Sequence, residues 1–357
     1  MYSHLFRTAC SLLAVVAASS ASADTNSLEA AQKSPFVMDI TENTRLTFYG
    51  YVKGTFISDS DYDLGDTTFG LKNIGTIGGP AAGSSKRAHL RESRLGFFLQ
   101  SGDVRARIEG DFFGADGLRT RHAYVAWKGV MVGQNWTNFM SVETLGNTID
   151  FQGPAGLPFA RLPQLRYTFK PNENWRVSAS IEEDVGNADD QHYTFAARYG
   201  FDKGMMRVAG LYRDTTLAGT AVKGWGLSLS GTYDAWDGGK LSGIYTTGEG
   251  ISDILVFGLS GAAVTTGGNE VGVNGLSLGI SQQIGDKTTL VATTGYTDLE
   301  TAAATDTKSL TTLHLSAFHQ VASNVQLGVE YYTGTRKQGN GVKFDADRIL
   351  FSAKFTF

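Results

Sequence analysis

The sequence predicts an all-β protein: a transmembrane antiparallel β-barrel of about sixteen strands with an inward-folded third loop. Three observations carry that reading. Short segments alternate strictly between apolar and polar residues. The connections between them alternate in length, short then long, as outer-membrane barrels require. After residue 23, no run reaches the roughly 18 apolar residues of a membrane helix.

The chain of 357 residues opens on a secretory signal pattern over Met1–Ala23. Arg7 supplies the positive start, Leu12–Ala18 is apolar, and Ala21-Ser22-Ala23 offers small residues for cleavage. Removing it also removes Cys10, the sole cysteine, and with it disulfide and thiolate chemistry. Loss of Arg7 takes the formal charge from −4 to one unit lower, which argues against a general nucleic-acid binder. Residues 24–43 read as a short, poorly ordered periplasmic lead, and 44–357 as the barrel. Gly numbers 44 and Pro only 6, a balance that suits many strands and turns.

Alternation begins at Thr44. Leu46, Phe48, Gly50, Val52 and Phe56 share one parity, and Thr47, Tyr49, Tyr51 and Lys53 the other. Over 103–113, Val104, Ala106, Ile108 and Phe112 oppose Arg105, Arg107, Glu109 and Asp111. The last strand repeats this, with Ile349, Phe351, Phe355 and Phe357 opposite Arg348, Ser352 and Lys354. Aromatics fall at strand ends: Tyr49, Tyr51, Trp127, Trp136, Tyr167, Trp175, Tyr199, Trp225, Tyr233, Tyr296 and Tyr331 would form two interfacial girdles. Seven short turns and eight longer loops give the strand count. It is least determined over 248–274, where Ile254–Val264 reads as an inward-tucked loop or an extra strand pair.

The long excursion 136–163 leaves a short strand and carries Phe139, Met140, Leu145, Ile149 and Phe151. Loops this long are uncommon without a function. An outward flap would expose those side chains, so the segment is expected to fold into the lumen.

Arginine facing lipid costs about 2–4 kcal/mol at the midplane, so the charged parity must face the lumen. The expected pore-lining and constriction residues are Arg94, Arg105, Arg107, Glu109, Asp111, Arg121, Glu143, Asp150 and Arg166. Arg176, Arg207, Glu92 and Glu182 share the parity. Two readings remain open for this set. The arginines either present a positive wall that selects anions or neutralise carboxylates in a cross-strand ladder. Arg119 and Arg121 fall on the wrong parity unless a bulge re-aims them.

Several segments resemble the DcaP-like family of outer-membrane porins: Leu90–Phe97, Arg107–Gly114, Leu118–Tyr124, Val132–Trp136, Thr148–Pro154 and Pro163–Tyr167. The resemblance is strong over 45–170 and architectural beyond. It implies a sixteen-stranded trimeric porin in the outer membrane of a Gram-negative bacterium, an inward third loop and a preference for small anions such as dicarboxylates. Residues 24–43 lack the sustained heptads of the coiled coil that some members carry there.

The expected function is therefore passive diffusion of small hydrophilic solutes, favouring anions, with no cofactor, no metal and no catalysis. Outer-membrane lipid and lipopolysaccharide, a homotrimer and small anionic solutes are the expected partners. Two alternatives are a barrel enzyme of lipase or protease type and a plugged structural or adhesive barrel. The enzyme reading rests on Gly275-Leu276-Ser277-Leu278-Gly279, a G-x-S-x-G match that needs a strand–turn–helix context. Here Leu276, Leu278 and Ile280 continue a period-two strand, and His314 and His319 read as surface or rim residues. Asp59–Gly65 resembles the start of a calcium loop but holds Leu64 and Gly70 where Gly and Glu are needed, so it reads as a solvated acidic loop.

Overall fold

A computed structural model describes Ser34 and residues 36–357; the leader pattern at Met1–Ala23 lies outside the described residues. The strands are β1 Val37–Thr41, β2 Thr44–Asp59, β3 Ser85–His89, β4 Arg94–Ser101, β5 Val104–Gly114, β6 Gly117–Trp127 and β7 Val130–Trp136. They continue as β8 Arg161–Phe169, β9 Trp175–Glu183, β10 Gln191–Phe201, β11 Gly204–Leu217, β12 Thr220–Trp236 and β13 Gly239–Glu249. Two short strands, β14 Thr265–Thr266 and β15 Asn269–Glu270, precede β16 Gly272–Ile284. The wall ends with β17 Thr288–Leu299, β18 Thr307–Ala322, β19 Val325–Gln338 and β20 Lys343–Thr356.

Each wall strand pairs antiparallel with its sequence neighbour, and β20 returns to β2 from Tyr51↔Thr356 to Asp59↔Arg348. The other edge of β2 is shared by β3 and β4, which act as one interrupted stave. The result is a closed barrel of sixteen staves. Closure leaves no open sheet edge, whose unpaired backbone groups would cost several kcal/mol each in lipid. The remaining edge of β2 is filled by the two ends of the chain. Phe357 exchanges two backbone hydrogen bonds with Gly50 (3.1 and 3.0 Å), and Phe48 donates to the Phe36 carbonyl (3.0 Å). A Cβ on Gly50 would lie 2.4 Å from the Arg94 carbonyl, so this crossing of three segments requires glycine. Val37–Thr41 is therefore a strand hairpinned onto β2, where the sequence suggested a poorly ordered lead.

Alternation sets the two faces. Phe48, Val52, Phe56, Ile108, Phe112, Ile349, Phe351 and Phe355 are exposed on the outside, while Lys53, Asp59, Arg107, Glu109 and Arg348 are buried inside. Trp127, Tyr167, Trp175, Tyr199 and Tyr233 ring the short-turn end on the outer face, and Tyr193, Tyr212, Trp225 and Tyr296 lie toward the long-loop end. Tyr49, Tyr51 and Trp136 depart from the expected girdles: Tyr49 and Tyr51 are buried inside because their parity is the luminal one, and Trp136 is buried where β7 gives way to the crossing segment. The apolar core is also inside the barrel. Leu71, Ile74, Phe139, Ile149, Ile254 and Phe257 come from loops and pack together against the wall.

Candidate functional site: a lumen crossed by three loops

The segment between β7 and β8 lies across the inside of the barrel. Near its start, Asn138 donates its backbone N–H to Glu182 on β9 (2.7 Å), and Glu143 receives two bonds from Arg198 on β10 (both 2.9 Å). Further on, Ile149 and Asp150 donate backbone N–H groups to Glu330 on β19 (2.6 and 3.2 Å). The Ala155 N–H reaches the Thr312 hydroxyl on β18 (3.0 Å). Gly156 then lies directly on β16, where a Cβ on Gly275 would meet its carbonyl oxygen at 2.2 Å. The first glycine of the G-x-S-x-G match is thus explained by close backbone approach. Ser277 sits in mid-strand, buried, in register with Ile244 and Gly295.

Two further loops enter the same space. The loop after β2 buries Leu64, Leu71 and Ile74, and Thr68 bonds the Asp150 carboxylate through its N–H (3.1 Å) and hydroxyl (2.9 Å). The loop after β13 buries Ile251, Ile254, Leu255, Val256 and Phe257. It pairs with the end of the crossing segment: Phe159 donates to Ile254 (2.8 Å) and Val256 to Leu157 (2.9 Å). Lys72 ties the two loops by donating to the carbonyls of Phe257 (2.8 Å) and Gly258 (3.2 Å). Of the two readings left open for 248–274, the inward tuck holds for 251–264, and the two-residue pair β14–β15 follows it as a short ladder.

The charged parity divides into two populations. In the first, charges meet each other. Arg107 bonds Glu109 (2.8 Å) and the Tyr49 hydroxyl (2.8 Å); Arg121 bonds Glu109 (2.9 Å) and Asp111 (2.9 Å); Arg119 bonds Asp111 (2.7 Å). The register skips between Glu109 and Gly110, so β6 bulges at Arg121 and both Arg121 and His122 turn inward. That bulge resolves the parity conflict seen in the sequence. Asp150 meets Arg348 (3.3 Å), which also grips Asp59 (2.6 Å). Arg94 is buried beside the Tyr51 ring, its guanidinium carbon 5.3 Å from the centroid. Arg94, Arg107, Glu109, Asp111, Arg121 and Asp150 are at most 5% exposed. They form the ladder of the second reading rather than a wetted wall, because each carboxylate offers several acceptor sites that neighbouring guanidiniums fill.

In the second population, charges face an open cavity. A cavity of about 660 Å³ opens below the crossing segment at the short-turn end. It is lined by Arg105, Lys128, Arg166, Lys170, Arg176, Arg198 and Arg207 against Asp103 and Glu143. Arg166 and Arg207 also hold the crossing segment by its backbone, donating to the carbonyls of Trp136 (2.5 Å) and Asn138 respectively. Of the residues expected to line the pore, Arg105, Glu143 and Arg166 thus reach this space. Arg198 and Lys170 were missed, although Arg198 obeys the same inward parity as His192, Thr194 and Ala196.

Other sequence expectations change place. The acids of Asp59–Gly65 divide: Asp59 is buried and pairs with Arg348, Asp63 pairs with Arg87 while partly exposed, and Asp61 is exposed. His314 is buried and 3.0 Å from Glu330, not at the rim, because its strand parity is luminal. His319 is exposed near the short-turn end, within hydrogen-bond distance of Thr288 (2.9 Å).

A closed sixteen-stave barrel with a loop-crossed lumen is the arrangement of a diffusion pore, and a family comparison decides the matter. The Gram-negative porin family model matches residues 9–339. The chain belongs to the Gram-negative porin family. This porin resides in the bacterial outer membrane, with short turns on the periplasmic side. No curated protein matches it. Among solved structures, it resembles the outer-membrane channel DcaP of Acinetobacter baumannii at 21% identity and TM-score 0.78, over 90% of this chain and 99% of that one. OmpT of Vibrio cholerae matches at 14% identity and TM-score 0.62, over 90% and 100% of the two chains. The anion-selective porin from Comamonas acidovorans matches at 15% identity and TM-score 0.58, over 88% and 100%.

Proposed function

We propose that this porin is a homotrimeric diffusion channel that favours small anions, dicarboxylates among them, and performs no catalysis. The observation that carries the anion preference is the periplasmic vestibule. Seven basic side chains and two acidic ones line it, directly below the segment that narrows the lumen. Rings of one sign set pore selectivity. Guanidinium forks suit the two oxygens of a carboxylate. A similarly folded porin from Comamonas acidovorans is described as anion-selective.

The deciding experiment is the zero-current potential across a salt gradient for the double variant Arg105→Gln with Arg176→Gln. The expected result is a shift toward cation preference, with dicarboxylate flux slowed more than neutral sugar flux. An unmoved potential in a folded barrel overturns the reading.

The trimer is supported by OmpT of Vibrio cholerae, described in a trimer form. On the outer parity of β2, Gly54 permits close subunit approach, while Gly50 is covered by Phe357 of the same chain. Unheated and boiled samples compared on a gel test this, and a single heat-independent monomer band counts against it. In the same reading, residues 1–23 are a cleaved leader, 24–43 stay on the periplasmic side, and lipopolysaccharide meets the outer girdle.

A further inference from the structure

We infer that a groove on the outer face of the barrel, across β16 to β19, is a binding site for a phospholipid of the periplasmic leaflet. The groove has a volume of about 530 Å³ and lies where the wall faces membrane hydrocarbon. Two alanines on the outer parity make it. Ala317 stands opposite Leu290 on one side and Val329 on the other. Ala292 stands opposite Ile280 and Leu315. Side chains facing each other across paired strands have Cβ atoms about 4.5–5.5 Å apart, so four branched side chains rise around two methyl groups. Tyr331, one pleat nearer the long loops than Val329, also lines the groove, and its hydroxyl donates to Asp347 (3.0 Å).

The end nearer the short turns is polar. Gln282 lines the groove there, and its Oε1 accepts from the Trp236 indole (2.5 Å). One pleat beyond Leu290 and Ala317, Thr288 and His319 face each other across the ladder, the hydroxyl 2.9 Å from Nδ1. Nε2 of His319 is then the ring nitrogen left to meet a headgroup. Asp286 and Lys287, exposed in the adjoining turn, offer charge of both signs. The aromatic girdle changes character at this place. Trp127, Trp175, Tyr199 and Tyr233 mark the short-turn level on their strands, whereas Gln282, Thr288 and His319 mark it on β16, β17 and β18.

Acyl chains touch the outer wall everywhere, but a chain on a convex wall gains contacts on one side and a chain in a groove on three. Each contact is small and the sum is large, and a groove left unfilled forfeits it. The order of the site, apolar toward the midplane and polar toward the periplasm, is that of a phospholipid. Phosphate and ester oxygens accept from an imidazole N–H or a hydroxyl, and a charged acceptor strengthens the bond. A second barrel seated in the groove would make no use of that order. The site depends on the membrane location of this porin and not on its ion selectivity.

The test is native mass spectrometry of the delipidated full barrel in detergent, titrated with palmitoyl-oleoyl phosphatidylethanolamine. The expected result is saturable retention of a single lipid per chain. Ala317→Leu, which fills the groove, should lower that retention several-fold. Ala179→Leu, the same change on the outer face of β9, should leave it unaltered. His319→Ala should weaken retention of the phospholipid but not of the matching diacylglycerol, which lacks the phosphate. Non-saturable retention, or equal loss in Ala317→Leu and Ala179→Leu, would mean that only bulk lipid wets the wall and would overturn the site. Unchanged lipid retention with loss of the oligomer band in Ala317→Leu would overturn it in favour of a second copy. If Ala317→Leu fails to assemble, wild type decides: a phosphatidylethanolamine carrying a diazirine on its acyl chain should label β17 and β18 above all other strands, and labelling spread evenly around the barrel is the overturning result.

Discussion

Ile149, deep in the crossing segment, donates its backbone N–H to Glu330 on the far wall at 2.6 Å. The same carboxylate takes the Asp150 N–H (3.2 Å) and the Ser316 hydroxyl (2.7 Å), and it lies 3.0 Å from His314. The wall therefore holds a fixed acceptor on which the loop is seated. Glu330→Ala removes two loop bonds to a charged group, worth about 1.5–3 kcal/mol each. Single-channel conductance and its noise should both rise. Deleting Ser141–Asp150 should raise conductance further and loosen selectivity. A folded deletion variant with unchanged conductance would show that the segment does not limit the pore.

Arg107 predicts the opposite phenotype. It is 1% exposed and locked to Glu109 and Tyr49, so its charge is spent within the wall. Arg107→Ala leaves Glu109 with one fewer partner in a dry setting. Breaking a buried pair from one side costs about 3–5 kcal/mol. The heat-modifiable band should collapse at a lower temperature, while the zero-current potential moves much less than in the Arg105 and Arg176 double variant. A large selectivity change with unaltered thermal stability would return Arg107 to the wetted wall.

How far the sequence could be read follows from these two arginines. Arg105 and Arg107 share a strand and a parity, and period two places both inside without error. What separates them is whether the side chain lies along the cavity beside Gln100 or between buried carboxylates. That depends on registers with β2, β4 and β6, which periodicity does not encode. The bulge at Arg121 is likewise invisible, since one extra residue flips parity without a distinctive composition. The inward third loop was legible because its apolar residues had no strand to join. The entry of 60–84 and 251–264 into the same space was less so: Asp59 and Asp63 looked solvated until Arg348 and Arg87 were found beside them.

Acid stability should depend on Asp184, just beyond β9. Burial raises its pKa, but the His192 ring 3.7 Å away and the hydrogen bonds from Arg213 outweigh that and hold it at about 2. Its folded value is thus depressed below the ordinary aspartate value near 4. The stabilisation is fully present above that ordinary value and is lost as pH falls from about 4 toward about 2. Arg213 grips the same carboxylate at 2.8 and 2.5 Å and also holds Asp253 of the inward loop (2.7 Å). Asp184→Asn should lower the melting temperature at neutral pH and flatten its dependence on pH below about 4. A variant whose melting curve keeps the wild-type acid slope would place the acid sensitivity elsewhere.

Ser277 should be inert. It lies in an unbroken strand with Ile244 and Gly295 opposite, and the glycine two before it is required by the Gly156 contact. A fluorophosphonate probe should leave purified barrel unlabelled, and Ser277→Ala should conduct as wild type. Stoichiometric labelling lost in Ser277→Ala would revive the hydrolase alternative.

The final prediction concerns salt. The vestibule bias proposed above would act through solvent-filled space, so it should fade as counterions accumulate. At an effective dielectric near 20, one unit charge at 4 Å is worth about 4 kcal/mol, and in bulk water about 1. A permeating ion below the crossing segment lies between these limits. A tenfold preference needs only about 1.4 kcal/mol, so losing Arg105 and Arg176 should lower the anion-to-cation ratio several-fold at 0.1 M salt, a concentration at which the Debye length is about 10 Å. At 1 M it falls to about 3 Å, shorter than the reach from wall to axis, and wild type and variant should converge. The buried pairs of Arg107, Arg121 and Arg348 are shielded from that screening and contribute nothing to the trend. Zero-current potentials measured at both concentrations check this. A wild-type preference that survives undiminished at 1 M would assign selectivity to a desolvated contact rather than to the vestibule field.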